Sequence, residues 1–471
     1  MEECVPLGPE KTLEKLLSFG DKDLPVNVAR WAWIPNEDPQ VGAWRFRNHW
    51  LLHMVASKEP LREKLALFWH SHFAASDEKV EDGAAMLDYM QGLRRNPGGK
   101  FYDILQTAAK STALLKMLDV RVMAKWAPNE NFARELLELY TLGVGNYSEK
   151  DIKEVARALT GWSFIQTLYE DNAPMRSKVL RMARTNHTFS AYAFIPDWHD
   201  EGEKTVLGKK VKTGDDVLHL LADHPKTGEF VCRKLWEFFA YQNPEPSIVQ
   251  RLAKVFLANE GDTKKVISEM VKVDEFWSPK CVRAQVKDPV QFLVGLNRFF
   301  NVGATLMARA DLNGKDEDPV PSGANDPLGG LAYKLDVMRM NPLYPPGVEG
   351  WPIGKTWVTS DAMVRRSQWG PELQYKHVKN GDKDEWHPDE PLLWFVQQVR
   401  KRQPRDVQGL AFALCILLDV AFPEKGLEAL VANLNKHGGS TFIENGDDRG
   451  LAWQLTVASG LIRSSPEFNL F

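Results

Sequence analysis

Asn129–Gly161 reads NENFARELLELYTLGVGNYSEKDIKEVARALTG, and the fold turns on this stretch. Asn129 or Asn131 supplies an N-cap for the segment ENFARELLELYTL. Gly143 or Gly145 can take the left-handed conformation that closes such a helix. Ser148 then caps a second helix, with Asp151 three residues on in the place that a capping box usually gives to Glu or Gln. The whole stretch therefore reads as helix, tight turn, helix, ending at Thr160 and Gly161.

The same period continues upstream. Leu61, Leu65, Phe68, His72 and Ala75 fall on one stripe, and Pro60 stands before the first turn, where a missing N–H costs nothing. Apolar steps of three and four residues predict further helices over Glu10–Leu17, Trp44–Ala56 and Asp103–Leu118. Downstream, helices are predicted over Asp215–Leu221, Lys226–Tyr241, Ser247–Ala258, Thr263–Val271, Pro289–Phe300 and Leu328–Met340. After them come Asp361–Gln368, Glu390–Arg400, Asp406–Leu418, Gly426–Leu434 and Leu451–Leu461.

Three segments break the pattern. Residues 162–212 lose the helical period, and within them KTVLGKKVKTG, centred on Gly208, has the form of a β-hairpin. Residues 313–327 are rich in Gly, Asp and Pro and read as an exposed link. Residues 341–357, NPLYPPGVEGWPIGKTW, form a Pro- and Gly-rich loop. No repeat of fixed period is present. The expected fold is one large, mainly α-helical domain over residues 1–471, with a few short β-hairpins in its insertions.

Composition bounds the function. With 44% hydrophobic and 26% charged residues, the chain matches ordinary globular proteins. Its net charge is −4, with Lys and Arg interspersed among Asp and Glu, so no electrostatic footprint for nucleic acid is visible. No run approaches the ~18 uninterrupted apolar residues of a membrane span. The start, MEECVPLGPEKTLEKLL, has neither the basic nor the apolar region of an export signal. Cys4, Cys232, Cys281 and Cys415 are widely spaced with no CxxC pair, so a thiolate zinc site has no support, while a single Cys232–Cys281 bridge stays open. GxSxG, the P-loop pattern, a well-placed GxGxxG and CxxCH are all absent.

The blocks REKLALFWHSHF, NENFARELLELYTLGV, DIKEVARALTGW, WHDEGEKTVLG, HPKTGEFVCRKLWEFF, PLYPPGVEGWP and SPEFNLF run in this order to the last residue. Together they resemble the domain-of-unknown-function family 1800. The resemblance implies a bacterial protein whose relatives are usually exported and commonly encoded beside a sulfatase-like companion, the domain-of-unknown-function family 1501. It brings no activity with it. Two departures are visible: the chain lacks the HLLRRxGFG-like opening of many relatives, and it has Tyr140 where many of them carry His.

Read from the residues themselves, the sharpest constellation is His72, Glu135, Glu138, His199 and Asp200. Glu135 and Glu138 are three apart on a predicted helix and share a face. Two carboxylates with imidazoles suit a divalent metal such as Zn, Mn or Fe, or an acid and base whose pKa values are split by environment. The spacing matches neither HExxH nor the di-iron bundles. A structural account stands beside it: Arg134, four residues from both Glu130 and Glu138, can pair with either, and His72 on an apolar stripe can be a core histidine.

WHDEGEK places His199, Asp200 and Lys204 in a loop, where side chains can converge on a ligand or serve the turn itself. Tyr344, Trp351 and Trp357 offer rings for stacking on a sugar or peptide, with core packing as the alternative. His224 before Pro225 reads as a helix start, and His70 and His72 face apart on one helix. Two functions follow as expectations. One is a metal-dependent enzyme, hydrolytic or oxidative, acting on an envelope or extracellular substrate. The other is a binding or assembly protein working with the sulfatase-like companion.

Overall fold

A computed structural model describes residues 7–19, 43–120, 122–165, 191–309, 328–370, 375–380 and 383–470. Helices dominate it, and the sheet among the described residues is three separate antiparallel pairs. The expected link over residues 313–327 lies outside the described residues, as do residues 166–190 of the excursion.

The two deciding helices form as their caps dictate. Asn129 accepts a hydrogen bond from the Phe132 amide and starts Glu130–Glu138; Ser148 and Asp151 close a reciprocal capping box at the head of Glu149–Ala158. Asp therefore replaces the usual longer acid without loss of the motif. Gly143 and Gly145 lie at φ +80° and +81° in the intervening turn. The two helices pack on each other, burying Phe132, Leu136, Ile152 and Val155.

Pro60–His72 is the central helix. It packs against Ala43–Ala56 and Gly83–Arg95, which also pack on each other. Its burial extends beyond one stripe: Arg62, Glu63, His70 and His72 are all inside with Leu65, Phe68 and Trp69. Charged residues survive there only when paired. Arg94 meets Glu63 in a two-pronged contact at 2.7 and 2.9 Å, and the Trp50 indole donates to the same carboxylate at 2.9 Å.

The hairpin predicted around Gly208 is Lys204–Val206 paired with Lys209–Val211, turning through Leu207 and Gly208 at φ 48° and 73°. Positive φ at both turn positions matches the twist of a two-residue hairpin. Trp162–Ile165 pairs with Ala191–Phe194 elsewhere in the excursion. Near the C-terminus, Glu390–Lys401, Val407–Leu417, Glu424–Lys436 and Asp448–Arg463 pack as a group. Buried apolar residues from Leu17 to Phe468 form one connected cluster. Cys232 and Cys281 are free thiols, so the bridge left open between them does not form. Among the described residues no helix is long and apolar enough to cross a membrane.

Candidate functional site

The end of the Pro60–His72 helix is where three distant blocks of sequence meet. The His70 Nε2 atom accepts the Leu343 amide at 3.0 Å, and its ring lies edge-on to Trp50, Tyr89 and Trp351. Burial among these rings pushes the imidazole down to about 3. His72 Nε2 donates to the Tyr140 carbonyl at 3.1 Å, among Phe68, Phe73 and Phe230. Burial, then the Lys234 charge, holds His72 well below the usual range.

The loop over residues 341–357 clamps this helix end. The Asp77 amide donates to the Leu343 carbonyl at 3.0 Å, and the Trp351 amide donates to Ser71 Oγ at 3.2 Å. Gly350, at φ +83°, passes so close that a Cβ there would fall 2.1 Å from the Ser71 carbonyl oxygen. Only glycine satisfies both the angle and the approach. Trp351 and Trp357 are buried, at 5% and 8% exposure, so their rings face protein rather than offering an open platform. The Trp357 indole donates to the Pro352 carbonyl at 2.8 Å, and the half-buried Tyr344 donates to Asp77 Oδ2 at 3.3 Å.

Beside the clamp lie the acids. Glu135 and Glu138 are half-buried on the Glu130–Glu138 helix. Arg134 is not paired with them: it makes a two-pronged pair with Glu149, both contacts at 3.0 Å, in place of the pairs with Glu130 and Glu138 that the sequence suggests. Glu138 instead accepts the Tyr147 hydroxyl. Glu135 is raised above the ordinary carboxyl range by burial, then by the charge of Glu138; Arg134 opposes this and Glu349 of the clamp adds to it.

Tyr140 completes the group. Its side chain is 1% exposed, and its hydroxyl meets no hydrogen-bond partner among the described residues. Burial and the charge of Glu135 push this phenol up. Tyr147, half-exposed at the rim, is pushed up to about 12 by burial and by its bond to Glu138.

The remaining predicted residues serve their own loop. His199 Nδ1 donates to the Thr160 carbonyl at 2.7 Å, and the ring packs on Phe194. Arg157 grips Asp200 at 2.8 and 3.3 Å and holds its carboxyl below the usual range. Lys204 is buried, donating to the carbonyls of Asp200 and Lys212, and burial lowers its amine. The structure thus places His72, the Glu135–Glu138 pair and the His199–Asp200 loop in three different settings. Among the described residues no group of three or more His, Cys, Asp or Glu side chains stands where it can hold a metal ion.

Sequence reasoning missed Tyr147 and Glu349, and met Tyr140 only as a departure from relatives. Tyr140 stands two residues after Glu138, just past the cap of the helix that carries both acids, which was a usable signal. Glu349 had none, since only the loop's folding brings it near Glu135.

The sequence profile of the family described as Protein of unknown function (DUF1800) matches residues 1–470, essentially the whole chain. No curated protein and no solved structure matches it.

Proposed function

Because the chain belongs to the DUF1800 family, which brings no activity with it, we propose from the geometry that it is a hydrolytic enzyme working through the carboxylates Glu135 and Glu138. One observation carries this reading. Glu135 is raised by burial and by like charge, beside a buried Tyr140 hydroxyl that meets no partner among the described residues, while Arg134 pairs with Glu149. Two neighbouring carboxyls in unlike settings are how proteins divide acid from base. Glu135 gives its proton to the leaving oxygen as the bond to that oxygen breaks, and Glu138, positioned by Tyr147, takes one from the water that attacks; Glu138 then releases its proton to solvent and Glu135 takes one back, restoring both carboxyls. The resemblance to exported relatives points to an envelope or extracellular substrate. A divalent metal is not needed for these steps.

The test is a pH titration of the side-chain carboxyls by NMR with Glu135→Gln as the assignment control, followed by turnover of chromogenic glycosides, carboxylic esters and sulfate esters. Glu135 titrating above the ordinary carboxyl range, and turnover reduced by roughly a hundredfold or more in Glu135→Gln and Glu138→Gln at unchanged melting temperature, supports the reading. Glu135 titrating at or below that range refutes it.

A second reading rests on a different surface. Trp126, 64% exposed, lies 6.4 Å from Trp198 edge-to-face, with exposed Val122 and Phe194 also on the surface. An exposed indole against a half-buried one suits a protein interface, and the sulfatase-like companion is the partner that the resemblance offers. Trp126→Ala abolishing co-purification would favour assembly; no association at high micromolar concentration would remove it.

A further inference from the structure

A cavity of about 270 Å³ opens between Ala43–Ala56, Pro60–His72 and Pro289–Phe299, and it shares no residue with the carboxylate site. Its walls are apolar, from Met54, Leu67, Val290 and Val294. Gly295 lies on the wall inside its helix, and a Cβ built there meets no atom within 4 Å, so the space in front of it is open.

The polar lining is strongly biased to one sign. Lys64, Lys287 and Arg298 outnumber the single acid Glu63, which is already held by Arg94 and Trp50; the Lys64 ammonium also lies over the Phe238 and Phe239 rings. Arg298 is fixed by donating to the carbonyls of Met54, Val55 and Ser57 at 2.8–3.1 Å. Lys287 donates to the Phe468 carbonyl at 2.6 Å and lies over that ring. Burial pushes the amines of Lys64 and Lys287 down to about 8. Asp288 beside Lys64 caps the next helix through the Gln291 amide and lies outside the lining. A half-buried amine in such a place is stabilised by an arriving anion. A small apolar pocket with a cationic rim selects an anion carrying a hydrocarbon chain.

We propose that this cavity binds a medium-chain monocarboxylate, its head against Lys287 and Lys64 and its chain along Met54, Leu67 and Val294 toward Gly295. The volume lies just below the usual range of ligand pockets, which fits a chain of this class rather than a drug-sized ligand.

The probe is sodium octanoate in isothermal titration calorimetry on the full chain, with octan-1-ol and octylamine as controls. Saturable one-site binding of octanoate is expected, at least tenfold tighter than either control, since a hydrogen bond to a charged group is worth roughly tenfold or more. Lys287→Met is expected to weaken octanoate by a similar factor. The series Gly295→Ala, Gly295→Leu and Gly295→Phe is expected to weaken it progressively as the cavity fills, with calorimetric melting as the folding control. If Gly295→Phe unfolds, the Ala and Leu variants carry the test. Heats of dilution alone, octanol binding as tightly as octanoate, or affinity unchanged across the folded Gly295 variants would each overturn the proposal.

Discussion

Replacing Glu63 by Gln keeps the shape of the side chain and removes its charge. Glu63 is 3% exposed and Arg94 1%, and the carboxylate receives two guanidinium N–H groups and the Trp50 indole. An amide in its place turns an NH₂ toward a donor and leaves the guanidinium without this counter-charge; Arg298, which also feels Glu63, loses some compensation. Breaking a buried pair from one side costs roughly 3–5 kcal/mol. At about 2.1 cal/mol/K per residue, a cooperative chain of 471 residues unfolds with an entropy near 1 kcal/mol/K, so the melting temperature should fall by about 3–5 °C. Scanning calorimetry of wild type, Glu63→Gln, Arg94→Met and the double variant Glu63→Leu with Arg94→Met measures this. The double variant should recover most of the loss, because apolar residues of similar volume replace a buried pair at little cost. A double variant no more stable than the worse single one would show that the pair is not what holds these helices together.

Three further outcomes are expected. Gly350→Ala must place a methyl 2.1 Å from the Ser71 carbonyl at φ +83°, so it should cost at least about 1–3 kcal/mol and speed hydrogen exchange at the Leu343 amide; unchanged exchange would mean the clamp tolerates the shift. Tyr140→Phe removes a buried hydroxyl that has no partner among the described residues, so the melting temperature should hold or rise while any turnover falls; a drop of several degrees would mean the hydroxyl is satisfied within the fold. Asp288, pushed up to about 6 by burial, binds its proton more tightly in the folded chain than in the unfolded one, where a carboxyl titrates near ~3.9. Its contribution is therefore present below pH ~4 and lost as pH rises through about 6. Asp288→Asn, which keeps the cap to Gln291, should abolish that part of the decline while Lys64 and Arg366 remain nearby; identical slopes in both proteins would refute the assignment.

The helices were legible because their signals are local. Asn129, Ser148 with Asp151, Pro60 and the left-handed Gly208 each act within a few residues, and each does what its chemistry requires. The site was less so. Trp351 and Trp357 sit in a loop whose composition suits an exposed platform, but Gly350 lets that loop approach Ser71, and both rings are buried. His199 and Asp200 read as ligands in sequence, yet a carbonyl and a guanidinium from the preceding helix and its end already satisfy them. No spacing rule announces which backbone groups a loop will find.

Arg134 shows how such a miss changes the functional conclusion. Along one helix the four-residue rule offers it Glu130 and Glu138, at a few tenths of a kcal/mol each. The turn through Gly143 and Gly145 brings back Glu149, which takes both prongs of the guanidinium at 3.0 Å. A two-pronged contact uses the rigid fork of arginine better than either single pair. The cation that would have paired with the acids is thereby drawn to the exposed edge, and Glu135 feels the charge of Glu138 beside Tyr140. Swapping the competition tests this directly. Glu149→Gln frees Arg134 to turn back toward Glu138, so Glu135 should titrate lower than in wild type. No change in Glu135 would mean that burial and the neighbouring acids set it, and that the partition of Arg134 has no bearing on the site.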